Sequence, residues 1–312
     1  MRFFAIEDEA IALPRGAWAK SHRVHVRWQG KQILSLSQGE HRAYLFPVYT
    51  PGGFAVTTES PVDHPHHNSL WIGADHVNCW LPYAADKHEQ ANYNFYLNEI
   101  FQGRAPGRIV AVARECEEVG EDHLRVVQTL NWQGPREWGA SEGRIIAVER
   151  RTIDIHPGDV ANVIDLRSQL QAREWEIDIG PTRHAYFGVR MAEGLRVTNG
   201  GEMVGADGCC GSEEIKGHDV KWVDCSGEVT TGKSVGVALL PHPANADNEW
   251  SVADWGYMSA NPLRWSGKKI KTGEEMDVAL RVVVHDGDAE QAGIAGFYQS
   301  FLDQLNDKEA RT

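Results

Sequence analysis

Along much of the chain, apolar residues return at every second position, the spacing of a strand with one buried and one wet face. In HRVHVRW, Val24, Val26 and Trp28 alternate with Arg23, His25 and Arg27. In DHLRVVQTLNW the apolar set is Leu124, Val126, Leu130 and Trp132, set against Arg125, Thr129 and Asn131. MDVALRVVVHDG places Met276, Val278, Leu280, Val282 and Val284 on one side. RFFAI, KQILSLS, GRIVAVA, RIIAVER, VANVIDL, VKWVDCS and SVGVALL are shorter strand candidates. Turn signals separate them, among them Gln29-Gly30, Gly120-Glu121, Pro157-Gly158-Asp159, Asn199-Gly200-Gly201 and Ala206-Asp207-Gly208.

One segment changes period. From Ala289 onward, Ile294, Phe297, Tyr298, Phe301, Leu302 and Leu305 follow the i, i+3, i+4, i+7 rule. That predicts a helix over about 288–307, with Asp286 or Asp288 as its N-cap. Many strands, one clear helix and no βαβ alternation predict an all-β fold. At this length the expectation is a large antiparallel β-sandwich with a C-terminal helix, one domain over residues 1–312.

Charge narrows the partners. Thirty-one basic against forty-four acidic residues give a formal charge of −13, which opposes binding to nucleic acid or to an anionic membrane surface. No apolar run is long enough to cross a bilayer. Five cysteines, odd in number and scattered, make no disulfide framework, so the chain reads as cytoplasmic and reduced. The expected partner is a small-molecule substrate, with a homo-oligomer left open. Eleven tryptophans and thirty-one glycines suit a large β protein whose indoles fill sheet faces or stack on sugars.

The chemistry concentrates in histidine. Of fourteen histidines, five lie between His64 and His88, in and just beyond PVDHPHHNSLWIGADHVNCW. In an extended backbone His64 and His66 share a face and His67 takes the other. The run Leu70-Trp71-Ile72-Gly73 can then bring Asp75 and His76 back towards them. Imidazole and carboxylate together suit general acid–base catalysis near neutral pH. They also suit a divalent metal, whose ligands would be His64, His66, Asp75 and His76, although neither HExxH nor CxxC is present. No cofactor is required by the acid–base reading. As a loop residue, His67 is expected to matter for turnover and little for stability.

Two further segments carry polar groups. EWEIDIGPTRHAYFGVR puts Glu174, Glu176 and Asp178 on one face if extended, and a turn at Gly180-Pro181 leads to Arg183, His184 and Arg190. LLPHPANADNEW places His242 and Asn245 after a strand, and Asn261 precedes a proline in WGYMSANPLRW. The expectation is that His64, His66 and His67 line one cavity with His184 and His242. GxSxG, Walker and GxGxxG motifs are absent.

FPVYTPGGFAVTTESPVDHPHHNSLWIGADHVN, VKWVDCSG, GVALLPHPANADNEW and GYMSANPL, in that order, resemble a group of bacterial proteins labelled PmoA-like after a methane oxygenase subunit. DHPHH…W…DHVN is the most specific part. The resemblance implies a β-rich fold and a site around His64, His66, His67, Asp75 and Asn78. It does not imply the oxygenase activity, which belongs to a membrane protein. Thr182-Arg183-His184-Ala185-Tyr186-Phe187-Gly188 is similar to the TNHxYFN motif of galactose mutarotases, which are antiparallel β supersandwiches. There the histidine is the acid on the sugar ring oxygen; Arg183 and Gly188 depart from the motif's two asparagines.

Together these readings make the chain an enzyme acting by proton transfer (isomerisation, elimination or hydrolysis) on a small polyhydroxylated or carbonyl-containing substrate. Its catalytic set would be His67, His184 and Asp178. Substrate would be bound by His64, His66, Trp71, Asp75, Asn78, Arg190, His242, Asn245 and Asn261. A carbohydrate-binding module using Trp71 and Trp80 as stacking platforms is the non-catalytic alternative.

Overall fold

In a computed structural model, residues 3–10, 22–137, 140–245 and 248–309 are described. They form three sheets. The first has eight strands, ordered Phe4–Ala10, His22–Trp28, Lys31–Gln38, Ala43–Val48, Leu70–Ile72, Phe187–Arg190, Tyr257–Asn261 and Glu249–Ala253. The second, also eight-stranded, runs Glu202–Gly205, Val223–Thr230, Lys233–Pro241, Glu275–Asp286, Ala161–Ala172, Ile145–His156, His123–Gln133 and Arg108–Gly120. The third orders Lys268–Ile270, Ile177–Ile179, Val77–Ala84, Lys87–Asn94 and Ala105–Pro106. Its last pair is parallel, and the other named pairings are antiparallel.

Period two decides what is buried. Leu124, Val126, Leu130 and Trp132 point inwards from their strand, as does Gln128, while Arg125, Val127, Thr129 and Asn131 stay half exposed. Val24 and Val26 from the first sheet, Ile153 and Leu166 from the second, and Val77 and Ile177 from the third all meet in one hydrophobic core. The Gln29-Gly30 hairpin has positive φ at both residues (49° and 81°), the conformation a two-residue turn needs to match strand twist.

Glu275–Asp286 departs from simple alternation. Beside Val282 and Val284, Val283 is also buried, because a second small core forms on its other face from Val163, Ala238, Leu240, Ile294 and Phe301. The C-terminal helix supplies that cover. It begins at Ala289, capped by Asp288 in a reciprocal pair with Gln291. Gly293 (φ 74°) interrupts it before Ile294–Glu309, so the expected single helix is two segments in series. Among the described residues no helix is long and apolar enough to cross a membrane.

Candidate functional site

Residues 61–67 are two consecutive turns rather than an extended run. The His64 N–H donates to the Pro61 carbonyl (3.1 Å), and the His67 N–H donates to that of His64 (2.9 Å). Pro65 sits second in the latter turn, where its fixed φ is favoured. The bend corrects the two-face expectation, because all three imidazoles converge. Trp255, His64, His67 and Trp71 form a column of rings 4.4, 4.7 and 5.0 Å apart, inclined by 9°, 11° and 24°. His66 meets His67 edge-on at 4.6 Å. Trp71 is 1% exposed, so it supports His67 from beneath and offers no platform to a ligand.

His67 is itself enclosed. Its ring is buried, stacks 5.0 Å from Tyr257, and its Nε2 lies 3.0 Å from the Tyr96 hydroxyl. Burial, followed by the neighbouring His66, His64, Arg190 and Arg42, drives its pKa far below the ordinary histidine value. Burial and then Arg42 lower His66 to about 3. The catalytic role expected of His67 is therefore corrected: a neutral ring covered on both faces organises the column. It also sets a pH dependence. Below about pH 6.5 the unfolded chain takes up protons at His66 and His67 that the folded chain refuses. Stability should be fully present above that pH and fall by about 1–3 kcal/mol per unit as the pH drops further. Urea midpoints between pH 7.5 and 5.5 measure this, and His67→Gln should flatten the slope; equal slopes would mean that the folded chain charges these rings.

Two buried arginines hold the turn from outside. Arg42 donates to the carbonyls of His66 (3.0 Å) and Tyr96 and to Asn98 Oδ1 (3.1 Å); burial lowers it to about 10. Arg190 is fully buried, lies 4.4 Å over the Trp255 ring and donates to Asp63 at 2.7 Å. Burial opposes ionisation of Asp63, yet hydrogen bonds from Arg190 and His64 bring it down to about 2. Arg190 thus anchors the turn, a role the substrate-binding expectation did not include.

Beside this column stands an imidazole–carboxylate centre. Asp75 follows the strand Leu70–Ile72 and is 1% exposed. It accepts from His184 Nδ1 (2.9 Å), His76 Nδ1 (2.8 Å) and the Thr182 hydroxyl, with Arg104 at 3.7 Å. Burial again opposes ionisation, but the bonds from His184, Thr182 and His76 hold Asp75 at about 2. A carboxylate only accepts, so Nδ1 of His184 carries the proton. Nε2 is the lone-pair side, and it accepts from the exposed Arg183 at 3.2 Å. The His184 side chain keeps 23% of its surface exposed and lies 5.0 Å from the Tyr96 ring.

The loop bearing His184 is fixed by groups that cannot also hold substrate. Thr182 Oγ1 accepts the His184 N–H at 3.0 Å. Asn261 donates to the Thr182 carbonyl (2.7 Å) and accepts from Leu263 N–H (2.8 Å), so its amide is used at both ends. That corrects its expected binding role. Gly188, which departs from the mutarotase-like motif, pairs with Trp71 across the strands; a Cβ there would lie 2.5 Å from the Trp71 ring. The indole of the column and a side chain at 188 exclude one another.

Other expected residues lie elsewhere. Asn245 bonds both the N–H and the carbonyl of Ala279, which fixes its segment to a strand of the second sheet. His242 packs 5.8 Å from Phe301 of the C-terminal helix and is not part of the histidine column. Asp178 and Asn78 pair across the third sheet, where Asp178 faces Lys269 at 3.6 Å, so Asp178 is no partner of His184. The four residues expected as metal ligands are split between column and centre. Among the described residues no group of three or more His, Cys, Asp or Glu side chains is arranged so that it could hold a metal ion. Asp63, Arg42, Tyr96, Thr182, Arg104 and Trp255 were missed. Asp63, Thr182 and Trp255 lie inside segments the sequence singles out, whereas Arg42, Tyr96 and Arg104 carry no local signal.

A family profile described as a family of unknown function, DUF6807, matches residues 23–299, and the chain belongs to that family. No curated protein matches the sequence. Among solved structures, the chain is similar to a protein described as a candidate aldose 1-epimerase from Escherichia coli K12. That match has 8% identity and a TM-score of 0.35 over 91% of this chain and 99% of the other. A candidate kojibiose phosphorylase from the human microbiome matches with 8% identity and a TM-score of 0.37, over 88% of this chain and 32% of the other. For a polysaccharide lyase the values are 9% and 0.34, over 92% and 33%. The chain spans about a third of each of these last two.

Proposed function

We propose that this member of the DUF6807 family is an acid–base enzyme for a small polyhydroxylated or carbonyl-containing substrate of the sugar class, with His184 Nε2 moving the proton. One observation carries the reading: a buried carboxylate kept ionised by three donors orients a half-exposed imidazole through Nδ1. Such an imidazole takes a proton at Nε2, and the carboxylate stabilises the imidazolium that results. When the proton returns to a different substrate atom or face, the net change is an isomerisation. Elimination and hydrolysis need further groups to handle a leaving group or a water, so isomerisation is the simplest fit.

The surroundings agree with a sugar-like substrate. The Tyr96 ring and, at 6.3 Å, the edge of Phe101 flank His184 with apolar surface. His66, neutral near pH 7, supplies a ring that can donate or accept without charge. Arg183 is exposed and long enough to leave Nε2 when substrate arrives. Thr182–Gly188 resembles the mutarotase motif, whose histidine also exchanges a proton with the sugar, and this supports the reading for His184.

The test is a panel of aldoses, ketoses and uronic acids in D₂O followed by proton NMR. One class should show accelerated anomer or epimer interconversion, or deuterium uptake beside its carbonyl, with wild type and not with His184→Gln. Equal rates for the two proteins across the panel would remove the proposal.

A further inference from the structure

The residues that the sequence grouped with the site but the fold sends elsewhere gather in a second place. The third sheet buries Val77, Cys79, Leu81, Ile177, Ile179 and Ile270 on its inner face. Alternation turns Asn78, Trp80 and Pro82 outwards. Strand register sets Asn78 between Asp178 and Asn92, Pro82 opposite His88, and Asp178 opposite Lys269. With the segment leading into Ile177, this face forms an open groove of about 500 Å³ lined chiefly by Trp80, Trp175, Glu174, Glu176, His88 and Lys269. Trp80 is 38% exposed, whereas Trp175 rests partly on the core.

We propose that this groove is a second binding site, for a neutral saccharide. Two indoles in one concavity offer flat apolar surface to the C–H face of a pyranose. Carboxylates accept from pairs of hydroxyls, while a lysine and a histidine donate, and the volume suits one or two sugar units. Charge argues against other ligands. Lys269 is already paired with Glu176 and lies 3.6 Å from Asp178, so with Glu174 the carboxylates outnumber the one ammonium and repel anions. Asn78 and Asn92, side by side on the same face, each keep a buried side-chain oxygen without a hydrogen-bond donor. Trp80 lies four residues along the strand from His76, about 13 Å, so a single sugar unit cannot occupy groove and histidine centre together.

Indole N–H resonances of the ¹⁵N-labelled protein report binding directly and without turnover. They would be titrated with methyl β-D-glucopyranoside, methyl β-D-galactopyranoside and cellobiose, and with tetramethylammonium as the cationic competitor. At least one saccharide should shift the Trp80 signal, identified by its loss in Trp80→Ala, together with a second indole. Trp80→Ala should weaken that saccharide about tenfold or more, and Glu174→Gln should weaken it several-fold with the fold intact. His184→Gln should leave it unchanged, which separates this site from the proposed catalytic one. The proposal is overturned if no saccharide moves these signals, if His184→Gln removes the effect, or if only tetramethylammonium saturates them.

Discussion

Asp75→Asn is expected to lower turnover by about 10²–10⁴-fold while leaving the chain folded. The side chain keeps its size, but its chemistry no longer fits its neighbours. Asp75 accepts from three donors, the imidazoles of His184 and His76 and the hydroxyl of Thr182. An amide has one accepting oxygen and turns N–H bonds of its own towards the rest. At least one imidazole must then change tautomer or swing away, and a His184 that accepts at Nδ1 carries its proton on Nε2, where the substrate needs a base. Nitrogen-15 shifts of the His184 ring report that change in the free protein. The rate on whichever sugar the wild type turns over reports its consequence. A variant that keeps the wild-type tautomer and loses less than threefold in rate would show that His184 works without Asp75.

The contrast between what was and was not legible follows contact range. Burial of Leu124, Val126, Leu130 and Trp132 is a property of one strand against one core, so alternation reads it directly. The helix over 289–309 is readable for the same reason, and Gly293 could have signalled its break. By contrast, the convergence of His64, His66 and His67 depends on Arg42 and on Arg190, the latter bonded to Asp63 across 127 positions. Asp75 and His184 are 109 residues apart and meet because their strands, Leu70–Ile72 and Phe187–Arg190, are neighbours. Residue type alone also misleads. Asn245 and Asn261 look like binding residues at strand ends, yet both spend their amides on backbone. Glu174 sits in a bend before the strand Ile177–Ile179 rather than in the extended run that alternation predicts, and Glu176 and Asp178 face Lys269 instead of His184.

Glu149→Ala is expected to cost about 3–5 kcal/mol of stability, a large share of the roughly 5–15 kcal/mol typical of a folded domain. Glu149 is wholly buried and accepts from Trp132 Nε1 (2.9 Å), Arg151 Nε and Nη2 (2.8 and 3.0 Å) and Ser168 Oγ (2.9 Å). Arg151 in turn donates to the Ala43 carbonyl at 3.2 Å, which ties the second sheet to the first. Ser168 also bonds the Tyr186 hydroxyl at 2.8 Å, two residues beyond His184. Removing the carboxylate strands a buried guanidinium and leaves an indole N–H and a hydroxyl without their acceptor, and each of these losses is larger indoors than in water. If the uncompensated charge dominates, Glu149→Leu combined with Arg151→Leu should be more stable than Glu149→Ala, because the pair leaves together. Urea denaturation of the three proteins decides the matter. A loss below 1 kcal/mol for Glu149→Ala would mean that the segment bearing Tyr186 and His184 is held by apolar packing, and that this network is dispensable to it.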